Sequence, residues 1–300
     1  MYIREIKLPQ HKDPEQFNCL WEVTTNCSYR CRYCAAVKEE KFQEVDSIIE
    51  AINYIATKKK MHLTLFGGEA VMHPDFFQIL DELKVSSLQV HTNLSKSKSF
   101  WDKVARTPNI EIIISYHPCH VDRDEFTEKV LALIKTGIII KLIVMLDLNY
   151  REECLDLFNF FEKLESKHPN LKLSISKIFE QTLDSKDIEW YLEQQVGRED
   201  IIVFHGVDSI TKKYTQESYL VNNNLNNFRL FKCDAGMRTL VISSEGKFFA
   251  CSDYRSHNIS FTNSKDTGWK EKLEFISEKG VLCRIDKCLC GCNIPKKRII

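Results

Sequence analysis

Three hundred residues carry 42 Lys and Arg against 42 Asp and Glu, so the formal net charge is zero and neither a nucleic acid nor an anionic membrane is called for as partner. Hydrophobic residues make up 43% and charged residues 28%, which excludes a disordered or fibrous chain. The N-terminus shows no apolar signal segment, and the longest apolar run, 137–146, is broken by Lys141 and too short to span a bilayer; a cytoplasmic protein is expected. Twelve cysteines in such a chain point to metal binding rather than disulfides.

Along the chain, short apolar strand candidates alternate with amphipathic helical patterns. Strands are expected at 19–24, 62–66, 87–91, 110–115, 138–146 and 171–177, with helices at 44–58, 74–84, 97–105, 123–135 and 150–166 between them. Repeated β-then-α units imply an α/β fold with a parallel sheet, read here as a partial (β/α)6 barrel over 17–180. In such folds functional groups gather at the carboxyl ends of the strands. The segment 181–230 is polar and Asn-rich and reads as a linker with a short helix. A cysteine-bearing region follows over 231–300.

Directly after the first strand candidate come Cys27, Cys31 and Cys34, spaced C-x3-C-x2-C. Three thiolates leave one ligand position open to something that is not protein, which separates a catalytic centre from a closed structural one. Zinc sites favour paired knuckles and a fourth ligand nearby, and 19–60 offers only Cys19. An iron–sulfur cluster fits the triplet better. The second strand candidate ends in Gly67, Gly68 and Glu69, where glycines allow close backbone approach and a carboxylate can pair with a cation. The third ends in His91-Thr92-Asn93 and the fourth in Ser115-Tyr116-His117.

The triplet, with aromatic Tyr33 before its last cysteine, resembles the signature of the radical S-adenosylmethionine (SAM) superfamily, and Gly67-Gly68-Glu69 is similar to that superfamily's GGE motif. The resemblance implies a 4Fe–4S cluster on Cys27, Cys31 and Cys34 that binds SAM. It assigns Tyr33, Gly67, Gly68, Glu69, Asn93 and Ser115 to SAM, with Glu69 at its ammonium group. It also implies a one-electron donor of the flavodoxin or ferredoxin type.

In the tail, Cys233 and Cys251 flank a hairpin pattern with a Ser-Glu-Gly turn at 244–246, which brings the two cysteines together in space. Cys283, Cys288, Cys290 and Cys292 follow within ten residues. The spacing C-x12-G-x4-C resembles the first half of the SPASM and twitch auxiliary-cluster regions. That resemblance implies a second 4Fe–4S cluster on Cys233, Cys251, Cys288 and Cys290, with Cys283 or Cys292 able to replace one of the last two. A four-cysteine zinc staple is the alternative. Cys19 and Cys154 read as buried small hydrophobes. Cys119, in the loop after the fourth strand, is a candidate hydrogen-atom donor, with an ordinary loop cysteine as the plainer reading.

Three functions compete. The first is oxidation or epimerisation of a small molecule such as a sugar or aminocyclitol, with the auxiliary cluster taking the electron. The second is modification of a ribosomal peptide, disfavoured by the short stretch before Cys27. The third is a non-catalytic iron–sulfur or zinc protein, disfavoured by the GGE match. Alternation marks Lys141, Met145, Ser176 and Lys177 as substrate-facing candidates.

Overall fold

The computed structural model describes residues 3–7, 13, 15–34, 42–178, 200–205, 210–215, 224–288 and 294–299. In chain order its first elements are β1 (Ile3–Lys7), β2 (Gln16–Thr24), α1 (Asp46–Ala56), β3 (Lys60–Gly67), α2 (Phe76–Glu82), β4 (Ser87–Thr92), α3 (Lys98–Val104), β5 (Ile110–Tyr116), α4 (Arg123–Ile134), β6 (Ile139–Leu146), α5 (Arg151–Glu165) and β7 (Leu171–Lys177). The expected strands and helices are all present, so the α/β reading holds. The chain divides into two compact units: Glu22–Val45 with Leu63–Gln194, and Met1–Trp21 with Asp46–His62 and Gln195–Ile300.

The first of these units is the β/α part. Strands β4 to β7 run parallel in sequence order, with Val90 opposite Ile112, Ile112 opposite Ile140 and Ile140 opposite Leu171. The two-residue period of a strand sorts their side chains to opposite faces. Ile112, Ile114, Leu142, Val144, Leu173 and Ile175 are buried, and Tyr116, in step with the first two, meets Phe126 of α4 at 4.8 Å between ring centroids. That face is therefore the helix-covered one. Helix α5 buries Cys154, Leu157, Phe158 and Phe161, the i, i+3, i+4, i+7 stripe that an amphipathic helix presents to a sheet. Asp122 caps α4 by accepting from the backbone of Asp124 and Glu125, at 3.0 and 2.9 Å.

The opposite, inner face is mixed, with Ile113 buried and Ile143 half-buried among polar side chains. It carries Ser115, Lys141, Met145, Ser174 and Ser176, with Met145 directly opposite Ser176. Nearer the amino ends of the strands, Thr64 donates to Gln89 at 3.3 Å and Gln89 to Glu111 at 3.1 Å, a satisfied polar row across three strands.

The second unit continues with β8 (Asp200–His205), β9 (Ile210–Thr215), β10 (Phe231–Cys233), β11 (Thr239–Ile242), β12 (Lys247–Phe249), α6 (Ser252–Ser256), β13 (Thr262–Asn263), α7 (Trp269–Lys279), β14 (Val281–Leu282) and β15 (Lys296–Arg298). One sheet has the order β14-β10-β15-β1-β8-β9. Elsewhere in the unit β11 lies parallel to Asn18–Trp21 of β2 and pairs antiparallel with β12, closing the expected hairpin with Val241 opposite Phe249. Helix α1 belongs here too, with Tyr54 edge-on to Trp269 at 5.4 Å between ring centroids.

Two features differ from the sequence reading. The segment 181–230, expected as linker and short helix, contains the antiparallel pair β8 and β9. Its Ile201-Ile202-Val203-Phe204 run has strand composition that the polar surroundings obscured. The N-terminal strand β1 lies between β15 and β8, so residues near the start of the chain complete the sheet that holds the tail. Pairing over such a separation leaves no trace in local periodicity. Among the described residues no helix is long and apolar enough to cross a membrane.

Candidate active site

The β/α unit gathers its polar groups where β2 to β6 end. Cys27 is buried, Cys31 half-buried and Cys34 exposed, all on the loop that leaves β2. The Cys27 thiol receives the backbone N–H of Tyr29 at 3.4 Å and the Asn93 side-chain amide at 3.7 Å. Asn93 also donates to Ser28 at 3.1 Å, so the end of β4 holds the start of the cysteine loop.

Gly67 and Gly68 secure the same loop from β3. Gly68 donates its backbone N–H to Thr24 at 2.9 Å and Glu69 donates its own to Asn26 at 2.7 Å. Gly67 has φ +151, and a Cβ built on it would lie 2.1 Å from the Thr24 carbonyl oxygen; one built on Gly68 would lie 2.2 Å from that of Asn26. The close approach these glycines permit is thus to the backbone that leads into Cys27. A side chain at either position meets a carbonyl that cannot step aside.

Glu69 is buried, and its two carboxylate oxygens are engaged separately. One accepts from the Thr92 hydroxyl and the other from the backbone N–H of Asn93, both at 2.7 Å. Burial pushes the carboxyl up to about 7 against the lowering effect of these hydrogen bonds. Glu69 therefore fixes the turn that aims Asn93 at Cys27.

From the other side, His117 follows β5 and places Nδ1 2.7 Å from the Tyr33 hydroxyl and 3.7 Å from the Cys31 sulfur. Burial, with Cys31 adding to it, holds the Tyr33 phenol un-ionised, so its hydroxyl shares one hydrogen bond with His117 Nδ1, in the direction set by the imidazole tautomer. Tyr29 stacks on His120 with ring centroids 4.9 Å apart. Arg32 reaches the buried Asp147 at the end of β6, with contacts of 3.0 and 3.3 Å. Cys119 lies beside Cys31; burial raises its thiol and the contact with Cys31 lowers it. Ser115 is half-buried on the inner face of β5.

The structure thus brings together Cys27, Cys31, Tyr33, Gly67, Gly68, Glu69, Asn93 and Cys119 around one loop. Sequence reasoning missed His117 and Asp147 as parts of it. Both stand one residue past a strand, the position where such groups collect.

These residues coincide with a family match: positions 21–159 fit the model of the Radical SAM superfamily. The chain carries a radical SAM domain. Among solved structures, the Streptococcus suis protein SuiB bound to precursor peptide SuiA is 14% identical, with a TM-score of 0.61 over 93% of this chain and 70% of that one. The protein anSMEcpe with bound AdoMet is 13% identical, with a TM-score of 0.55 over 86% of this chain and 80% of that one. At these identities the likeness is one of fold. A comparison with curated proteins finds no match.

Radical SAM proteins hold a 4Fe–4S cluster and SAM, and the donor set here suits that group. Three cysteines on one loop, with an amide and a backbone N–H already directed at the Cys27 sulfur, are the ligands and sulfur hydrogen bonds such a cluster uses. Among the described residues no three His, Cys, Asp or Glu side chains converge as one metal ion requires.

In the second unit, Cys233, Cys251, Cys283 and Cys288 are all buried, at 5, 8, 7 and 4% exposure. Cys233 and Cys283 each lie within the electrostatic reach of Cys251 and of Lys296. Asn226 brackets Cys288, accepting its N–H at 2.9 Å and donating to its carbonyl at 3.0 Å. Cys233, Cys251, Cys283 and Cys288 are the tail cysteines among the described residues; Cys290 and Cys292 lie outside them. Cys19 and Cys154 are buried, the latter donating to the Met145 carbonyl at 3.3 Å.

Proposed function

We propose that this chain is a radical SAM oxidoreductase acting on a small polyol-like molecule, with the tail cysteines holding an auxiliary 4Fe–4S cluster. The observation that carries the reading is the bracket Glu69–Asn93–Cys27, which ties the second and third strand ends to the cysteine loop. A 4Fe–4S cluster bound at Cys27, Cys31 and Cys34 together with SAM supplies one-electron cleavage of SAM and a 5′-deoxyadenosyl radical. The chain's own residues do the rest. Asn93 and the Tyr29 amide donate to the Cys27 sulfur, and His117 with Tyr33 holds the Cys31 side of the loop. Glu69 retains lone pairs for the SAM ammonium while it orients Asn93. Ser115, Ser174 and Ser176 offer three half-buried hydroxyls to a hydroxyl-rich substrate, on a face that also carries Ile113, Ile143 and Met145. We assign the auxiliary cluster to Cys233, Cys251, Cys283 and Cys288.

Modification of a peptide is the second reading. It draws on SuiB, whose structure contains a precursor peptide. Anaerobically reconstituted protein with SAM and dithionite tests both. Cys31→Ala is expected to abolish 5′-deoxyadenosine formation, and Cys251→Ala to spare it while blocking product. Retained 5′-deoxyadenosine in Cys31→Ala refutes the assignment, and turnover of a peptide but of no polyol moves the substrate to the second reading.

A further inference from the structure

Lys296 is 3% exposed, an unusual burial for a residue in a Lys-Lys-Arg run. It sits on β15 directly opposite Cys233 on β10. Its ammonium is 3.8 Å from the Cys288 sulfur and 4.3 Å from the centroid of the Phe228 ring. Phe228 is fully buried, so an aromatic face and the Cys288 sulfur both stand beside the cation. Burying an ammonium costs several kcal/mol unless negative charge compensates it. Neutral thiols compensate poorly, and thiolates bound to iron compensate well.

The geometry points to Lys296 as the built-in counter-cation of the tail cysteine site, a positioning residue that raises the reduction potential of the cluster held there. This inference rests on the proposed auxiliary 4Fe–4S cluster. Four thiolates and an oxidised cubane core together carry two negative charges, and one added electron makes three. A fixed positive charge in a low-dielectric site favours the more negative state. At the cluster this step adds only an electron, and Lys296 keeps its proton. The electron comes from a carbon-centred radical next to a hydroxyl, which loses the hydroxyl proton to a base and becomes a carbonyl. Asp253, buried on α6 near Cys283, opposes Lys296 in this field.

The test uses the full chain with Cys27, Cys31 and Cys34 replaced by Ala, so that any remaining cluster belongs to the tail. Iron, sulfide and zinc are assayed first, followed by a potentiometric titration with small one-electron mediators read by electron paramagnetic resonance. Lys296→Met is expected to lower the midpoint potential by at least about 59 mV, a tenfold change in the one-electron equilibrium. Lys296→Arg is expected to restore most of it. An unchanged potential in Lys296→Met with iron retained overturns the inference and leaves the cluster reading standing. Zinc in place of four irons in the parent overturns the cluster reading and the inference with it. Should Lys296→Met fail to hold iron, Lys296→Gln and Lys296→Arg decide. Loss in Gln with retention in Arg supports a charge role, and loss in both shows that shape, not charge, is at work.

Discussion

Replacing Glu69 by Gln removes a buried charge while keeping the side-chain shape. In the wild type the carboxyl moves from an ordinary 4.5 to about 7 on folding, because burial outweighs the hydrogen bonds from Thr92 and Asn93. A carboxyl raised in the folded state binds its proton more tightly there than in the unfolded chain. Its contribution is therefore fully present below pH 4.5 and is lost as pH rises through 7. Over that window the group removes about 3 kcal/mol of stability. Gln cannot titrate, and its amide N–H₂ faces a donor, which costs about 1–3 kcal/mol at every pH. The stability advantage of wild type over Glu69→Gln should thus shrink by about 3 kcal/mol between acid and neutral pH. Urea unfolding of both proteins without SAM, across this range, measures it. Parallel pH profiles would falsify the buried-carboxylate account and place Glu69 in contact with water. The same pair tests pairing with SAM: affinity should rise through pH 7 in the wild type and stay flat in the variant.

Two other predictions come from the same region. Gly68→Ala drives a methyl group against the carbonyls of Thr25 and Asn26, so a loss of about 1–3 kcal/mol and of bound iron is expected, by thermal melting and iron assay; wild-type values would contradict the packing argument. His73 is buried and neutral, donating from Nε2 to Gln43 at 3.1 Å and accepting from the Asp75 N–H at 3.2 Å. Burial lowers its pKa, so its contribution is present above the ordinary 6.5 and is lost as pH falls through the lower folded value. His73→Gln should remove this acid sensitivity, and an unaltered acid limb in its unfolding curves would contradict it.

Chain-local features were legible in the sequence. The cysteine triplet, Gly67-Gly68-Glu69 and the hairpin between Cys233 and Cys251 are fixed by spacing, and strand and helix periods placed them at strand ends. The roles of these residues were less legible. The glycines were read as making room for a ligand, and the structure adds a second demand on them, room for the Thr24–Asn26 backbone. Among the tail cysteines the sequence reading favoured Cys288 and Cys290 over Cys283, and the structure places Cys283 buried within electrostatic reach of Cys251.

What the sequence determined by itself is the local pattern of cysteine triplet, paired glycines and strand ends, because ligand spacing, glycine and strand period all act within a few residues of chain. What only the tertiary structure decided is how distant segments meet. β1 joins the tail sheet, Asn93 reaches Cys27, and Lys296 falls opposite Cys233. Strand pairing and burial place these groups together across tens to hundreds of residues, and such pairing writes no period into the chain. Lys296, in a Lys-Lys-Arg run, is a buried cation for that reason alone.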